Sequence, residues 1–276
     1  MKKAQLVIGL PETGKTTFLA ALWHVAEQES IPTALTVTNL GEDDHHLNEL
    51  CAAWLQCETV ARSANSAPLV TMCVKDTITS NESELLFHDI AGESYERQWT
   101  KRTLDPEYVE LAQKASGVLL FVHPKKVKEP ERLEEYYEIV KNSGEPVQIK
   151  PRIPQNDPTS TILIDLLQNL FIPPINSKKL RVAVVVSAWD LIEKQDANKT
   201  PEKWVEERLP LLNQFFYSND KRLAHKVFGL SAQGGDYTDD KQELLKIEPA
   251  NRVKVITSDY EGGDLTQIVK WSMSLS

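Results

Sequence analysis

The chain has 276 residues, of which 31 are Lys or Arg and 40 are Asp or Glu, so its formal net charge is −9. Hydrophobic residues make up 41% and charged residues 26%, a composition that excludes a wholly disordered or collagen-like chain. An acidic chain also lacks the basic surface of a dedicated nucleic-acid-binding protein, and we expect no direct contact with nucleic acid.

The cysteines and the apolar runs indicate in which cellular compartment the protein is expected. Cys51, Cys57 and Cys73 have neither C-x-x-C nor zinc-site spacing, which is typical of a reducing environment. The apolar run near the N-terminus is too short for a signal peptide and ends at Pro11, and residues 182–186 are far too few to span a membrane. We therefore expect a cytoplasmic protein without a membrane segment.

Apolar, β-branched runs alternate with helical patterns along the chain. The sequence predicts these elements in order: strand 4–10, helix 17–27, helix 42–55, a hairpin of strands 68–75 and 85–89, helix 106–114, strand 117–123, helix 159–171, strand 180–187, helix 201–216, strand 227–231, strand 253–257 and helix 265–273.

The order of these elements indicates the fold class. Alternating helices and continuously apolar strands are typical of a mainly parallel sheet with helices on both faces, which is a three-layer α/β fold. The hairpin predicts one antiparallel edge strand. The charged, proline-rich stretch at about 124–178 has too little apolar content for its own core, so we interpret it as an insertion in a single domain spanning 1–276.

The strongest motif is the octapeptide at residues 9–16, Gly-Leu-Pro-Glu-Thr-Gly-Lys-Thr, which fits G-x-x-x-x-G-K-[ST] after a strand and before a helix. This P-loop pattern predicts a P-loop NTPase fold and a triphosphate site, because backbone N–H groups and a helix N-terminus surround the phosphates. Lys15 would bridge the β- and γ-phosphates, Thr16 would bind Mg²⁺, and the Thr17 N–H would reach the α-phosphate. The predicted phosphate-binding residues are Gly9, Glu12, Thr13, Gly14, Lys15, Thr16 and Thr17.

A second motif, Asp89-x-x-Gly92, ends the predicted strand 85–89. The Asp89 carboxylate would hold a Mg²⁺-bound water, and the Gly92 N–H would contact the γ-phosphate. Two further motifs follow later strands: Ser187-Ala188-Trp189-Asp190 and Ser231-Ala232-Gln233.

With these four ordered motifs the sequence resembles the TRAFAC-class, Ras-like P-loop GTPases, and within that class the double-GTPase-type proteins of bacterial conflict systems. The resemblance implies that Asp190 accepts from guanine N1–H and the exocyclic amine, while the Ala232 N–H donates to O6. It places Ser187, Trp189, Ser231 and Gln233 around the same base. Ala188 replaces the lysine that usually covers the base, so Trp189 either substitutes for that lysine or packs beside the strand.

The resemblance also implies two switch segments. A hydroxyl that contacts Mg²⁺ should precede the hairpin, with Ser63 as the first choice and Thr59 as the second. Glu93 stands where a glutamine usually orients the attacking water, and its negative charge predicts slow hydrolysis. The expected catalytic residues are therefore Lys15, Gly92 and Glu93. We expect segments 59–66 and 92–102 to be loops or irregular.

These observations together predict a Mg²⁺-dependent GTP-binding protein with slow intrinsic GTPase activity, which acts as a molecular switch or assembly regulator. The expected ligands are GTP or GDP with Mg²⁺, and an unidentified protein would serve as effector or activator, as in bacterial defence. Two alternatives are a nucleotide-binding interaction module without useful hydrolysis, and a P-loop ATPase or nucleotide kinase.

Overall fold

The computed structural model describes residues 4–28, 31–40, 44–59, 69–88, 92–130 and 152–273. The strands are β1 Ala4–Gly9, β2 Leu35–Leu40, β3 Leu69–Asp76, β4 Glu82–His88, β5 Ala115–Val122, β6 Leu180–Ser187, β7 Leu223–Ser231, β8 Lys254–Ile256 and β9 Glu261–Gly262. The helices are α1 Lys15–Gln28, α2 Asp44–Leu55, α3 Gly92–Lys101, α4 Pro106–Lys114, α5 Thr159–Asn169, α6 Asp190–Glu193, α7 Pro201–Arg208, α8 Pro210–Ser218, α9 Lys241–Leu244 and α10 Thr266–Met273.

The larger sheet has six strands in the order β1-β5-β6-β7-β8-β9. The first four pair in parallel, whereas β8 and β9 add antiparallel at one edge. The carboxyl ends of β1, β5, β6 and β7 therefore meet along one edge of the sheet. The predicted three-layer α/β fold with a mainly parallel sheet is confirmed.

Alternate residues of the central strands enter two separate cores, one on each face of this sheet. Leu119 and Phe121 of β5 pack with residues of α1, α2 and α10. Val118 and Leu120 pack on the other face with residues of α3, α4, α5, α7 and α8. Strands buried on both faces need apolar residues at every position, which explains the continuous apolar runs in the sequence.

A three-stranded antiparallel sheet, ordered β2-β3-β4, places β4 beside β1. The predicted hairpin of β3 and β4 is present. The Asp76 carboxylate in its turn accepts N–H bonds from Ile78 and Thr79, each at 2.8 Å, and pairs with Lys270 at 2.9 Å. The sequence predicted one antiparallel edge strand, but the structure has more, because β2, β8 and β9 also pair antiparallel.

The prediction of one helix over 201–216 is wrong, since this stretch forms two helices, α7 and α8. Pro210 has no N–H to continue a helix, and its ring clashes with the preceding turn. It occupies instead the first position of α8, where a missing N–H costs nothing.

Helix α5 connects two strands that pair in parallel, β5 and β6. A parallel pair needs such a crossover, because a tight turn cannot reverse the chain twice. Its apolar residues Ile162, Leu163, Leu166 and Leu167 are buried in the core. Residues 131–151 of the predicted insertion lie outside the described residues. Among the residues that are described, no helix is long and apolar enough to cross a bilayer.

Candidate nucleotide-binding site

The loop between β1 and α1 curls back on itself. Gly14 has φ +86°, a left-handed conformation that glycine adopts without steric cost, and Glu12 has φ 58° although it carries a side chain. The Thr13 hydroxyl donates to the Leu10 carbonyl at 2.9 Å. Such alternation of backbone conformation turns successive N–H groups towards one concave space, which suits a phosphate.

Lys15 begins α1, and its side chain is buried, with 8% of its surface exposed. Its ammonium donates to the carbonyls of Gly9 at 2.8 Å and Leu10 at 3.0 Å. These bonds hold the cation over the loop, where phosphate oxygens would replace the carbonyls as its acceptors. Thr16 and Thr17 follow in the first turn of α1 and are half-buried. The loop, the lysine and the helix N-terminus therefore fit a polyphosphate.

A short 3₁₀ turn after β5, Pro124–Lys126, lies against this loop. Lys126 forms an ion pair with Glu12, which brings a cation next to the phosphate-binding loop. The half-buried His123 precedes the turn, and its pKa is lowered by burial and by the charges of Lys126 and Lys125, against the opposing charges of Asp190 and Glu12. His123 was not among the predicted site residues, although its position at the end of a parallel strand, at the edge where the motifs lie, could have indicated it.

The end of β6 meets the P-loop directly. A Cβ atom on Gly14 would lie 3.2 Å from the Ser187 Cβ, so the loop and the strand end are in contact. The Ser187 hydroxyl donates to the Val122 carbonyl at 3.1 Å, which ties β6 to β5 at the same point. The fold therefore brings together two predicted motifs that are separated by more than 170 residues in the chain.

The two predicted base motifs are joined by a hydrogen bond. Asp190 begins α6, and its Oδ1 accepts from the Ser231 hydroxyl at 2.8 Å. The same hydroxyl accepts from the Gly234 N–H at 3.2 Å, so it links Asp190 to the loop after β7. In that loop the Gln233 amide donates to the Gly235 carbonyl at 2.6 Å. The carboxylate is thus held in one orientation beside the loop that contains Ala232.

Trp189 lies in the core rather than on the surface, with 1% of its area exposed. Its ring covers Gly229, where a Cβ atom would lie 2.5 Å from the Trp189 Cδ2. Within the described part of the chain, its indole N–H has no hydrogen-bond partner. Of the two interpretations of Trp189, this placement favours packing beside the strand over covering a base.

Several predicted site residues lie wholly or partly outside what the structure describes. Ser63 and Asp89 lie outside the described residues, and of Gly92 and Glu93 only the backbone is described, at the start of α3. Among the described residues no three His, Cys, Asp or Glu side chains group as a metal site. Of the predicted metal ligands the structure describes Thr16 and the second-choice hydroxyl, Thr59, which is exposed.

The prediction that segment 92–102 is irregular is wrong, since residues 92–101 form helix α3. Tertiary contacts stabilise this polar helix. The Tyr95 hydroxyl donates to the Val7 carbonyl at 2.6 Å, and the Trp99 indole donates to the Asp157 carboxylate at 2.7 Å. Neither contact can be predicted from a local pattern, because both partners are distant in sequence.

The chain has distant similarities to known proteins. No curated protein matches the chain. Among solved structures, one described as nucleolar GTP-binding protein 1 of Plasmodium falciparum is 11% identical, with a TM-score of 0.37, and the match covers 89% of this chain and 87% of that one. The signal recognition particle receptor SRb-GTP/SRX complex of Chaetomium thermophilum is 12% identical, with a TM-score of 0.38, and coverage of 89% and 97%.

The sequence model of one family, described as Double-GTPase 1, matches residues 6–272. That range contains the P-loop, the Asp190 motif and the loop after β7. Membership in a GTPase family implies a guanine nucleotide as the ligand. The chain belongs to the Double-GTPase 1 family of P-loop GTPases.

Proposed function

We propose that this chain is a Mg²⁺-dependent GTP-binding protein with slow intrinsic GTPase activity, which acts as a molecular switch or assembly regulator. The observation that carries the proposal is the contact between the P-loop and the base motifs. Gly14 packs on Ser187, three residues before Asp190, and Asp190 is bonded to Ser231. A nucleotide whose phosphates lie on the P-loop would have its base within reach of Asp190 and Ala232.

In this proposal different residues bind the phosphates, the base and the Mg²⁺ ion. Lys15 and the backbone of residues 9–17 bind the phosphates, with Glu12 and Thr13 shaping the loop. Asp190 and Ala232 recognise the base, supported by Ser187, Ser231 and Gln233. Thr16, Ser63 and Asp89 hold Mg²⁺, which would neutralise charge on the phosphate oxygens.

Glu93 determines the rate of hydrolysis in this proposal. A carboxylate can accept a proton from water, but it cannot donate to the γ-phosphate and it adds negative charge beside a negatively charged transition state. The triphosphate state would therefore persist until a protein partner intervenes. We place this partner-dependent cycle in the bacterial cytoplasm, as one component of a defence system.

The test is single-turnover hydrolysis of GTP and of ATP by the full chain, each with and without Mg²⁺. The proposal expects slow release of phosphate from GTP that needs Mg²⁺, no release from ATP, and faster release from GTP in Glu93→Gln. Tight GTP binding without any hydrolysis would instead favour the interaction module, and phosphate release from ATP at the same rate would contradict the proposal. Lys15→Ala serves as the control for contaminating phosphatases.

A further inference from the structure

The C-terminal end of α2 contacts the loop after β7 through a hydrogen bond. Trp54 of this helix is buried, with 2% of its surface exposed, and its indole N–H donates to the Ala232 carbonyl at 2.9 Å. The two residues are 178 positions apart in the chain. A single side chain from another part of the fold therefore determines how the peptide after Ala232 is oriented.

Arg252 holds the end of α2 in place beneath this loop. The residue is 6% exposed, and its guanidinium donates from Nη1 to the Leu55 carbonyl and to the Cys57 sulfur, both at 3.2 Å. It also lies 5.9 Å from the centre of the Trp54 ring. The Arg252 carbonyl packs on Gly234, where a Cβ atom would lie 2.9 Å away. One buried residue thus contacts both α2 and the loop.

We propose that Trp54 is a positioning residue for guanine recognition. Its bond to the Ala232 carbonyl fixes the peptide that follows Ala232 and so restrains the backbone torsions of Ala232, which keeps the N–H of the preceding peptide directed at the O6 atom of the base. Arg252 holds the end of α2, and with it Trp54, in place. The inference rests on the proposed function of Asp190 and Ala232 as the base site. The physical reason is preorganisation: a donor already held in its bound orientation loses less entropy when the ligand arrives.

This role predicts an effect that depends on the base. A ligand with a carbonyl oxygen at C6 needs the positioned N–H, whereas a ligand without that oxygen does not. The phosphate contacts of Lys15 are separate from Trp54 and are the same for both ligands. A general loss of structure would weaken both ligands equally, so the ratio of their affinities isolates the positioning role.

The experiment measures dissociation constants of GTP and of 2-aminopurine riboside triphosphate, which lacks O6, for wild type and Trp54→Phe by titration calorimetry. Phenylalanine keeps much of the packing but removes the N–H, so the GTP constant should rise about tenfold while that of the analogue changes less than about twofold. Trp54→His, which retains a ring N–H, should restore most of the GTP preference. Trp271→Phe, at a half-buried tryptophan outside the loop, is the matched control and should leave both constants unchanged.

Each other outcome overturns the inference. Equal weakening of both ligands in Trp54→Phe would mean a purely structural role, and unchanged dissociation constants for both ligands would mean that Ala232 needs no such support. If Trp54→Phe does not fold, Arg252→Lys is measured in the same way and should lower the same ratio. If wild type itself shows no preference for GTP over the analogue, the base site of the proposed function fails, and the inference fails with it.

Discussion

Replacing Asp190 with Asn should change the base that the protein prefers, and the hydrogen bond from Ser231 predicts how. The Ser231 hydroxyl donates to Asp190 Oδ1 at 2.8 Å. In Asp190→Asn the amide oxygen can accept this bond, and the amide NH₂ then points at the base. Guanine presents two donors at this position, N1–H and the exocyclic amine. In the variant these donors would face the amide NH₂, itself a donor, instead of the carboxylate oxygen that accepts from them.

The magnitude follows from the bonds that are lost. A hydrogen bond to a charged group contributes about 1.5–3 kcal/mol, and two are involved. If the base turns towards water in the variant, it regains part of this energy, so we expect a loss of about 3 kcal/mol, which is roughly 100-fold in the dissociation constant for GTP. Xanthosine triphosphate carries a carbonyl oxygen in place of the amine, and it should bind the variant better than it binds wild type.

Competition against a labelled guanine nucleotide by GTP, ATP and xanthosine triphosphate tests this reasoning on wild type, Asp190→Asn and the double variant Asp190→Asn/Ser231→Ala. The xanthine preference should weaken in the double variant, because nothing then fixes the orientation of the amide. Equal displacement by ATP and GTP in wild type would refute the assignment of Asp190, and a variant without any gain for xanthine would refute the role of Ser231.

Three further changes test separate parts of the fold. Lys15→Ala should lower GTP affinity by at least about 100-fold in titration calorimetry, because the loop loses the buried cation that offsets phosphate charge. Near-normal affinity would contradict the assignment of the phosphate site. Gly229→Ala should lower the free energy of unfolding by about 2 kcal/mol in urea, since the new methyl group meets the Trp189 ring at 2.5 Å. Gly263→Ala, whose nearest contact would be a side-chain end at 3.2 Å, is its control, and equal effects would show that the Trp189 contact is not tight. Asp76→Asn should destabilise the protein above about pH 4, and by less as the pH falls. N–H bonds from the turn lower the Asp76 pKa from 3.8 to about 2, so the stabilisation by the charged carboxylate is lost through that range. A difference in stability from wild type that stays constant between pH 6 and pH 2.5 would count against this explanation.

The parts of the fold that could be predicted from the sequence are those specified by local patterns. Strand β6 and helix α4 were predicted with the bounds that the structure has, because β6 contains an apolar run from Val182 to Val186 and α4 begins with Asp105 and Pro106 at its N-terminus. The P-loop motif likewise specifies its own geometry, since glycines and a following helix are local requirements. The family could be predicted because four motifs occur in the expected order, and the family match over residues 6–272 confirms it.

The missed elements depend on contacts between distant residues. Strand β2 is short, it alternates apolar with polar residues from Leu35 to Thr38, and it is stabilised by pairing with β3. Helix α3 is mostly polar, and contacts through Tyr95 and Trp99 hold it against β1 and the segment before α5. The link from Trp54 to Ala232 is invisible to any motif, because nothing in the sequence pairs those two positions. Tertiary contact overrides local preference in each case.

Helix α3 also changes how a nucleotide-dependent switch should look in this protein. Its C-terminal half is anchored, since Trp99 donates to the Pro154 carbonyl at 3.0 Å and Arg102 pairs with Asp165 at 2.5 Å. Its first turn begins at Gly92, and the first N–H groups of any helix have no partner within it. Those are the groups that a γ-phosphate would bind.

A ligand can shift a conformational equilibrium only through its different affinity for the two states, so protection should appear where the γ-phosphate contact forms. Fragment-resolved hydrogen exchange should therefore show slower exchange of residues 92–95 with a non-hydrolysable GTP analogue than with GDP. Residues 96–101 should exchange alike in both states, because their contacts to Pro154 and Asp157 do not involve the nucleotide. Lys15→Ala at saturating nucleotide provides the control for indirect effects. Equal protection of 92–95 in the two states would mean that α3 does not sense the γ-phosphate and that the protein binds its nucleotide without switching.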